Sequence, residues 1–215
     1  GVAVGGTAVA AQDLAQPLYD TEAPQECRAG MGCAQVFTLP AGTDGLVVRE
    51  VILPLSREGM SDLLRVEVRD VVGNKPGGEL YAYAELTPDA VRLKEGYADP
   101  GKTRIELTPV PGMRMVAGKE YALVLTVVPG GKSGSVGLQG QGDTTYYWYD
   151  YKKDVYAPGR IVLEATKGGL WQAYPDMDFA FEMVLDEAPE QPTIQKCEDC
   201  GTEIPEGGDV CPNCG

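Results

Sequence analysis

Histidine is absent from all 215 residues of this chain. With it go the usual general base near neutral pH, the Ser-His and Cys-His nucleophile pairs and every imidazole metal ligand, so enzymatic function is not expected. Positive charge is scarce as well: 18 Lys and Arg stand against 32 Asp and Glu, a net charge of −14, and no basic run is long enough to track phosphates. Nucleic acid and an anionic membrane surface are poor partners for such a chain. The uncharged N-terminal stretch ends at Asp13, short of the roughly 20 apolar residues that a membrane-spanning helix needs. Helical periodicity is almost missing. What is present is a 43% hydrophobic composition, enough for one domain with its own core plus a tail, and too apolar for disorder.

Strand-like segments fill the middle of the chain, at 36–39, 46–53, 63–69, 79–84, 103–107, 121–128, 145–151, 160–164 and 179–185. Several alternate strictly, as Leu64, Val66 and Val68 do against Arg65, Glu67 and Arg69, which turns one face to a core and the other to water. Gly- and Pro-bearing segments at 73–78, 99–102, 116–119 and 129–134 read as turns between them. The pattern predicts a mainly β fold, an antiparallel β-sandwich of jelly-roll type. Gly-Gly-Lys-Ser at 130–133 lacks the spacing and the following helix of a phosphate loop, and is one of these turns.

The order of the motifs carries a resemblance. Gln35-x-Phe37-Thr38, Val66-x-Val68-x-Asp70, Lys75-Pro76-Gly77-Gly78, Val116-Ala117-Gly118-Lys119-x-Tyr121-x-Leu123-Val124-Leu125, Gly159, Trp171 and Asp178-Phe179-x-Phe181 stand in a telling sequence. Over residues 34–185 they resemble a β-sandwich module of secreted and cell-surface bacterial and archaeal proteins, including those called choice-of-anchor domains. The resemblance implies an extracellular, non-catalytic adhesion, carbohydrate-binding or architectural role. It brings no catalytic residues.

Six cysteines fall into two groups. Cys197-x-x-Cys200-Gly and Cys211-x-x-Cys214-Gly, ten residues apart, have the spacing of a four-thiolate tetrahedral site, each pair forming a knuckle on one side of the ion. Residues 197–215 resemble the short zinc ribbons that end many bacterial and archaeal proteins. A structural Zn²⁺ on Cys197, Cys200, Cys211 and Cys214 is expected, with a rubredoxin-like iron or two disulfides as the alternatives. Four thiolates leave no open position for water or substrate, so the metal folds a tail and performs no chemistry. Cys27 and Cys33 flank Arg-Ala-Gly-Met-Gly and can close a small disulfide ring, which implies an oxidising compartment, or remain as two buried thiols. Zinc-thiolate sites are commonest inside cells. Coordinated thiolates nevertheless resist oxidation, and the middle of the chain reads as a secreted module, so the expected location is extracellular or on the cell surface.

Tyr146-Tyr147-Trp148-Tyr149-Asp150-Tyr151 is the densest aromatic run. On a strand, Tyr147, Tyr149 and Tyr151 share one face and Tyr146 and Trp148 the other. One face can be core; the other is either packed structure or a platform for sugar rings or a neighbouring protein, for which Tyr147, Trp148, Tyr149 and Tyr151 are the candidates. Asp176 and Asp178 read as a Ca²⁺ loop or a solvated acidic loop. At the N-terminus, residues 1–12 are a signal-peptide remnant, an arbitrary chain start, or a strand whose Val2, Val4, Ala8 and Ala10 slide into a groove of the same chain or of the next copy.

The expected organisation is an N-terminal extension (1–33), a β-sandwich (34–187), a linker (188–196) and a zinc ribbon (197–215). Two readings of function follow. The first is a self-assembling surface or filament subunit, pilus-like and homo-oligomeric, joined by donation of the N-terminal strand. The alternative is a carbohydrate-binding or adhesion module that takes a glycan.

Overall fold

The computed structural model describes residues 14–17, 19–21, 24–96, 98–129, 144–151, 156, 159–164, 170–187, 195–197, 200, 202–204 and 213–214. In chain order its strands are β1 (Pro24–Cys27), β2 (Cys33–Thr38), β3 (Leu46–Leu53), β4 (Leu55–Glu58), β5 (Leu63–Val72) and β6 (Lys75–Leu86). There follow β7 (Thr103–Glu106), β8 (Thr108–Pro109), β9 (Glu120–Val128), β10 (Thr145–Tyr151) and β11 (Arg160–Glu164). The last are β12 (Trp171–Tyr174), β13 (Asp178–Phe179), β14 (Glu182–Glu187), β15 (Gln195–Lys196) and β16 (Glu203–Ile204). Helical structure among the described residues is limited to 3-10 conformation, at Leu14 and in the short turn Pro88–Ala90.

Two layers pack face to face, as the period-two patterning predicts. One is a seven-stranded antiparallel sheet in the order β12-β11-β2-β9-β5-β6-β8. The other consists of β10 with β1, β4 and β13, and of β3 with β7 and β14. These two groups are continuous through the chain, because only Pro54 separates β3 from β4 and only Ala180 and Phe181 separate β13 from β14. Proline has no N–H to give a ladder, which accounts for the break at 54. The core between the layers takes Phe37, Leu64, Val66, Val68, Tyr121, Leu123 and Leu125 from the large sheet, and Val51, Leu53, Tyr146, Trp148, Phe179 and Met183 from the other. The mainly β, antiparallel sandwich read from the sequence is the fold.

Cys27 and Cys33 are disulfide-bonded, with Cα atoms 5.9 Å apart. Cys27 ends β1 in one layer and Cys33 starts β2 in the other, so the bond crosses the core. The five intervening residues turn sharply, with Met31 N–H donating to the Arg28 carbonyl (2.8 Å) and Gly30 at φ 82°. A Cβ at Gly32 would lie 2.7 Å from the Trp171 ring, so any side chain there would force that ring to shift. The segment expected as a separate extension therefore contributes a strand to the sandwich. Leu14 is also buried in the core, and Gln16 exchanges two backbone hydrogen bonds with Phe181 (2.8 Å each). Residues 1–13, with Val2, Val4, Ala8 and Ala10, lie outside the described residues, as does the turn expected at 130–134.

The outer face of the large sheet is apolar as well. Ala34, Val36, Ala122, Val124 and Val162 form a second buried cluster there, with Val71 and Trp171 packed on it. The β5–β6 hairpin supplies part of the cover: its register shifts between Val68 and Val71, and its tip reaches back so that Arg160 of β11 hydrogen-bonds Asn74 (3.3 Å). Gly73 and Asn74 both have positive φ, 58° and 67°, the turn in which a two-residue hairpin closes. Asp70 and Arg69 hold the returning strand, through Glu79 N–H on the Asp70 carboxylate (2.9 Å) and the Arg69 guanidinium on the Gly77 and Gly78 carbonyls (3.3 Å each). A Cβ at Gly77 would fall 2.2 Å from the Asp70 carboxylate, which accounts for a glycine in the Lys-Pro-Gly-Gly run.

Replacing both members of the disulfide (Cys27→Ala with Cys33→Ala) is expected to leave the β circular dichroism spectrum intact and to lower stability by about 2–3 kcal/mol, the loop-closure value for so short a ring. Urea unfolding with and without reductant measures this, and coincident midpoints would show that the bond adds nothing.

Candidate functional site

The C-terminal cysteines sit on a hairpin. β15 pairs with β16 through Gln195 with Ile204 and Lys196 with Glu203, and Cys197 N–H donates to the Thr202 carbonyl (2.9 Å), so the first Cys-x-x-Cys closes as a tight turn. Cys214 comes to this turn from 14 residues beyond Cys200, placing its Sγ 3.3 Å from Cys197 Sγ and 3.4 Å from Cys200 Sγ. All three sulfurs lie within 4.8 Å of one another. Four sulfurs held at the zinc–sulfur bond length around a tetrahedron stand about 3.8 Å apart, so this donor set suits a thiophilic ion. Cys211 lies outside the described residues.

The aromatic run of β10 is placed differently from a ligand platform. Tyr146, Trp148 and Tyr149 are 0–1% exposed and Tyr147 is 7% exposed. Trp148 stacks on Phe179 at 4.0 Å between ring centres and donates its indole N–H to the Ala180 carbonyl (2.9 Å). Tyr146 donates to the Asp62 carbonyl (2.8 Å). On the other face, Tyr149 lies edge-on to Tyr19 and hydrogen-bonds Ser56 (2.8 Å), while Tyr147 donates to Glu58 (3.0 Å) beneath the Lys94 ammonium, 3.7 Å from its ring centre. Both faces are packed, so Tyr147, Trp148 and Tyr149 present no open ring; Tyr151 is half-buried. The reason lies in residues remote in sequence: the core takes Tyr146 and Trp148, while Tyr19 against Tyr149 and Lys94 against Tyr147 cover the face that an isolated strand would expose.

The acidic pair also separates. Asp176 is exposed, whereas Asp178 is 1% exposed and accepts hydrogen bonds from Gln35 Nε2 (2.9 Å) and Tyr156 N–H (3.0 Å). Gln35 in turn accepts from Phe179 N–H (2.7 Å), so the pair binds strand to strand inside the fold. Gly159 belongs to the same packing, since a Cβ there would meet Tyr156, Gln35 and Asp178 within 3 Å. Nothing in the local sequence pairs Gln35 with Asp178, which are 143 residues apart.

A surface depression of about 400 Å³ opens on the outside of β14-β3-β7. Leu107 and Val184 form an apolar floor, ringed by Arg49, Arg104, Glu50, Glu106 and Asp186. Arg104 pairs with Glu50 (2.6 Å) and Arg49 with Asp186 (3.8 Å). Alternation brings Arg104 and Glu106 of β7, and Val184 and Asp186 of β14, to this face, and the β-bulge at Arg49 lets Arg49 and Glu50, consecutive on β3, share the rim.

Burial shifts several tyrosines. It raises Tyr146 and Tyr147 to about 12, assisted at Tyr147 by the bond to Glu58, and raises Tyr19 to about 12 with help from its hydrogen bond to Asp99 (2.7 Å). Tyr81 is raised too, through burial and its bond to Glu79. A phenol whose folded-state pKa exceeds its unfolded value of about 10 gives stability that is complete below pH 10 and lost as pH climbs through the folded value. Urea midpoints are therefore expected to fall from about pH 10 upward, together with a delayed phenolate absorbance. A midpoint unchanged to pH 11.5 would contradict this assignment. Trp171→Phe leaves Trp148 as the single tryptophan, whose emission should be blue-shifted and resistant to acrylamide until urea unfolds the chain.

No family model matches this chain, and no curated protein sequence matches it. Among solved structures, the cysteine protease and lectin-like domains of Cwp84, a surface layer associated protein of Clostridium difficile, are similar over 75% of this chain at 10% identity and a TM-score of 0.41. The match spans 33% of that chain, about a third of its length.

Proposed function

We propose that this chain is a non-catalytic extracellular adhesion or carbohydrate-binding module whose C-terminal tail is folded by zinc. The buried Cys27–Cys33 bond carries the reading, since a disulfide spanning the core forms and persists in an oxidising compartment. The binding role rests on the depression over β14-β3-β7. Sugar hydroxyls both donate and accept, and a ring of guanidinium and carboxylate groups around an apolar floor answers both needs. The non-catalytic part of the reading rests on the missing histidine and on internal polar groups, such as Gln35 and Asp178, that are engaged in holding strands together.

Cys197, Cys200 and Cys214, with Cys211 as the fourth ligand, are proposed to hold Zn²⁺ in a closed thiolate site. Bound there, zinc supplies no reaction and orders the tail. The earlier filament reading gains no support among the described residues, where 14–16 seat in the chain's own sandwich; assembly through residues 1–12 would show as concentration-dependent oligomers on size exclusion.

Retention on immobilised polysaccharides tests the binding role. Wild-type protein should be retarded, and Arg104→Ala with Glu106→Ala should weaken binding about tenfold, the scale of one lost charged hydrogen bond. Absence of retention on neutral, acidic and amino-sugar polymers alike would sink this role. For the metal, about one equivalent of zinc is expected in native protein. A strong chelator or Cys200→Ser should remove the zinc and make the 195–214 segment protease-sensitive while the sandwich keeps its melting transition.

A further inference from the structure

We infer that Thr202 is a positioning residue for the metal thiolates, acting on Cys200 through its side-chain hydroxyl. The inference rests on the metal reading above and concerns how the knuckle holds its charge. The three sulfurs within 4.8 Å of one another, with Cys211 as the proposed fourth ligand, carry up to four negative charges as thiolates, and a dication offsets only two. The remainder must be dispersed by hydrogen-bond donors aimed at sulfur, and such outer contacts orient and tune metal ligands. Thr202 is placed for this twice over. Its carbonyl accepts from Cys197 N–H (2.9 Å), which fixes the residue at the base of the turn. Its hydroxyl lies 3.2 Å from Cys200 Sγ. When Cys200 is a thiolate the only hydrogen in that contact belongs to Thr202, so the hydroxyl donates to sulfur. A β-branched residue has few side-chain rotamers, which limits the freedom lost in holding this contact.

Thr202→Val keeps the shape and the backbone contact and removes the donor; Thr202→Ser keeps the donor. Full-length wild type, Thr202→Val and Thr202→Ser are titrated with Co²⁺ and Zn²⁺ against a competing chelator, and the sulfur-to-cobalt charge-transfer bands are recorded. Thr202→Val should bind both ions about tenfold more weakly, the lower end of the effect of losing an outer-shell partner. Its charge-transfer bands should move to lower energy, because a thiolate without its hydrogen bond is the easier electron donor. Thr202→Ser should restore the wild-type band position. Equal affinity and identical bands in Thr202→Val and wild type would overturn the role of Thr202 and leave the metal site standing. Wild type that binds neither ion would overturn both.

Discussion

The second layer of this sandwich depends on β10. That strand pairs with β1, β4 and β13, and its Trp148 lies flat against Phe179 in the core. A tryptophan buried this completely removes a large apolar area from water, and its single donor must find an acceptor; the Ala180 carbonyl provides it where β13 gives way to β14. Packing and ladder are thus satisfied at one place. Loss of Trp148 would open a cavity and also strand a carbonyl at the join between the two groups of strands.

Two devices then tie the layers and close their faces. The Cys27–Cys33 bond links β1 to β2 across the core, beside the turn where Gly32 meets Trp171. On the far side of the large sheet, the β5–β6 hairpin bends over an apolar patch that would otherwise face water, and Arg69, Asp70 and Asn74 hold it with hydrogen bonds rather than burial. The Glu67–Arg69 pair adds a partly buried ion pair on the same face. Such a pair is weak evidence for stability, and its role is to set the direction of the guanidinium toward the hairpin.

The tail follows another physical logic. Its paired strands are two residues each, and so short a hairpin is marginal in water. Backbone ordering costs about 1–2 kcal/mol per residue, which the few apolar side chains of the tail do not offset. Under the proposed zinc reading the gathered thiols supply the remaining stability, and metal binding and folding of this segment are one process. The sandwich, by contrast, carries its own core and its own covalent bond. On that reading, one chain combines a segment stabilised by apolar burial with one stabilised by metal–thiolate bonds.

Much of this was legible in the residues themselves. Strand positions at 46–53, 145–151 and 160–164 are legible as short runs of β-branched, aliphatic and aromatic residues, and 63–69 as strict alternation, because each residue reports its own preference. Cysteine spacing likewise allows the small disulfide ring and places Cys197 and Cys200 on one turn, since each depends on neighbours a few residues away. Alternation could say that β10 has two aromatic faces; it could not say that both are covered. The cover comes from Tyr19, which bonds a residue 80 positions away, and from the connection bearing Lys94. The same holds for Gln35 with Asp178, and for β1, whose four residues carry little apolar pattern and become a strand only by pairing with β10. What the sequence by itself determined was every feature set by local periodicity, composition or short spacing. Which faces are open, which acids are buried and where the N-terminal segment lies were decided by tertiary structure, because those depend on contacts between segments whose meeting no local pattern encodes.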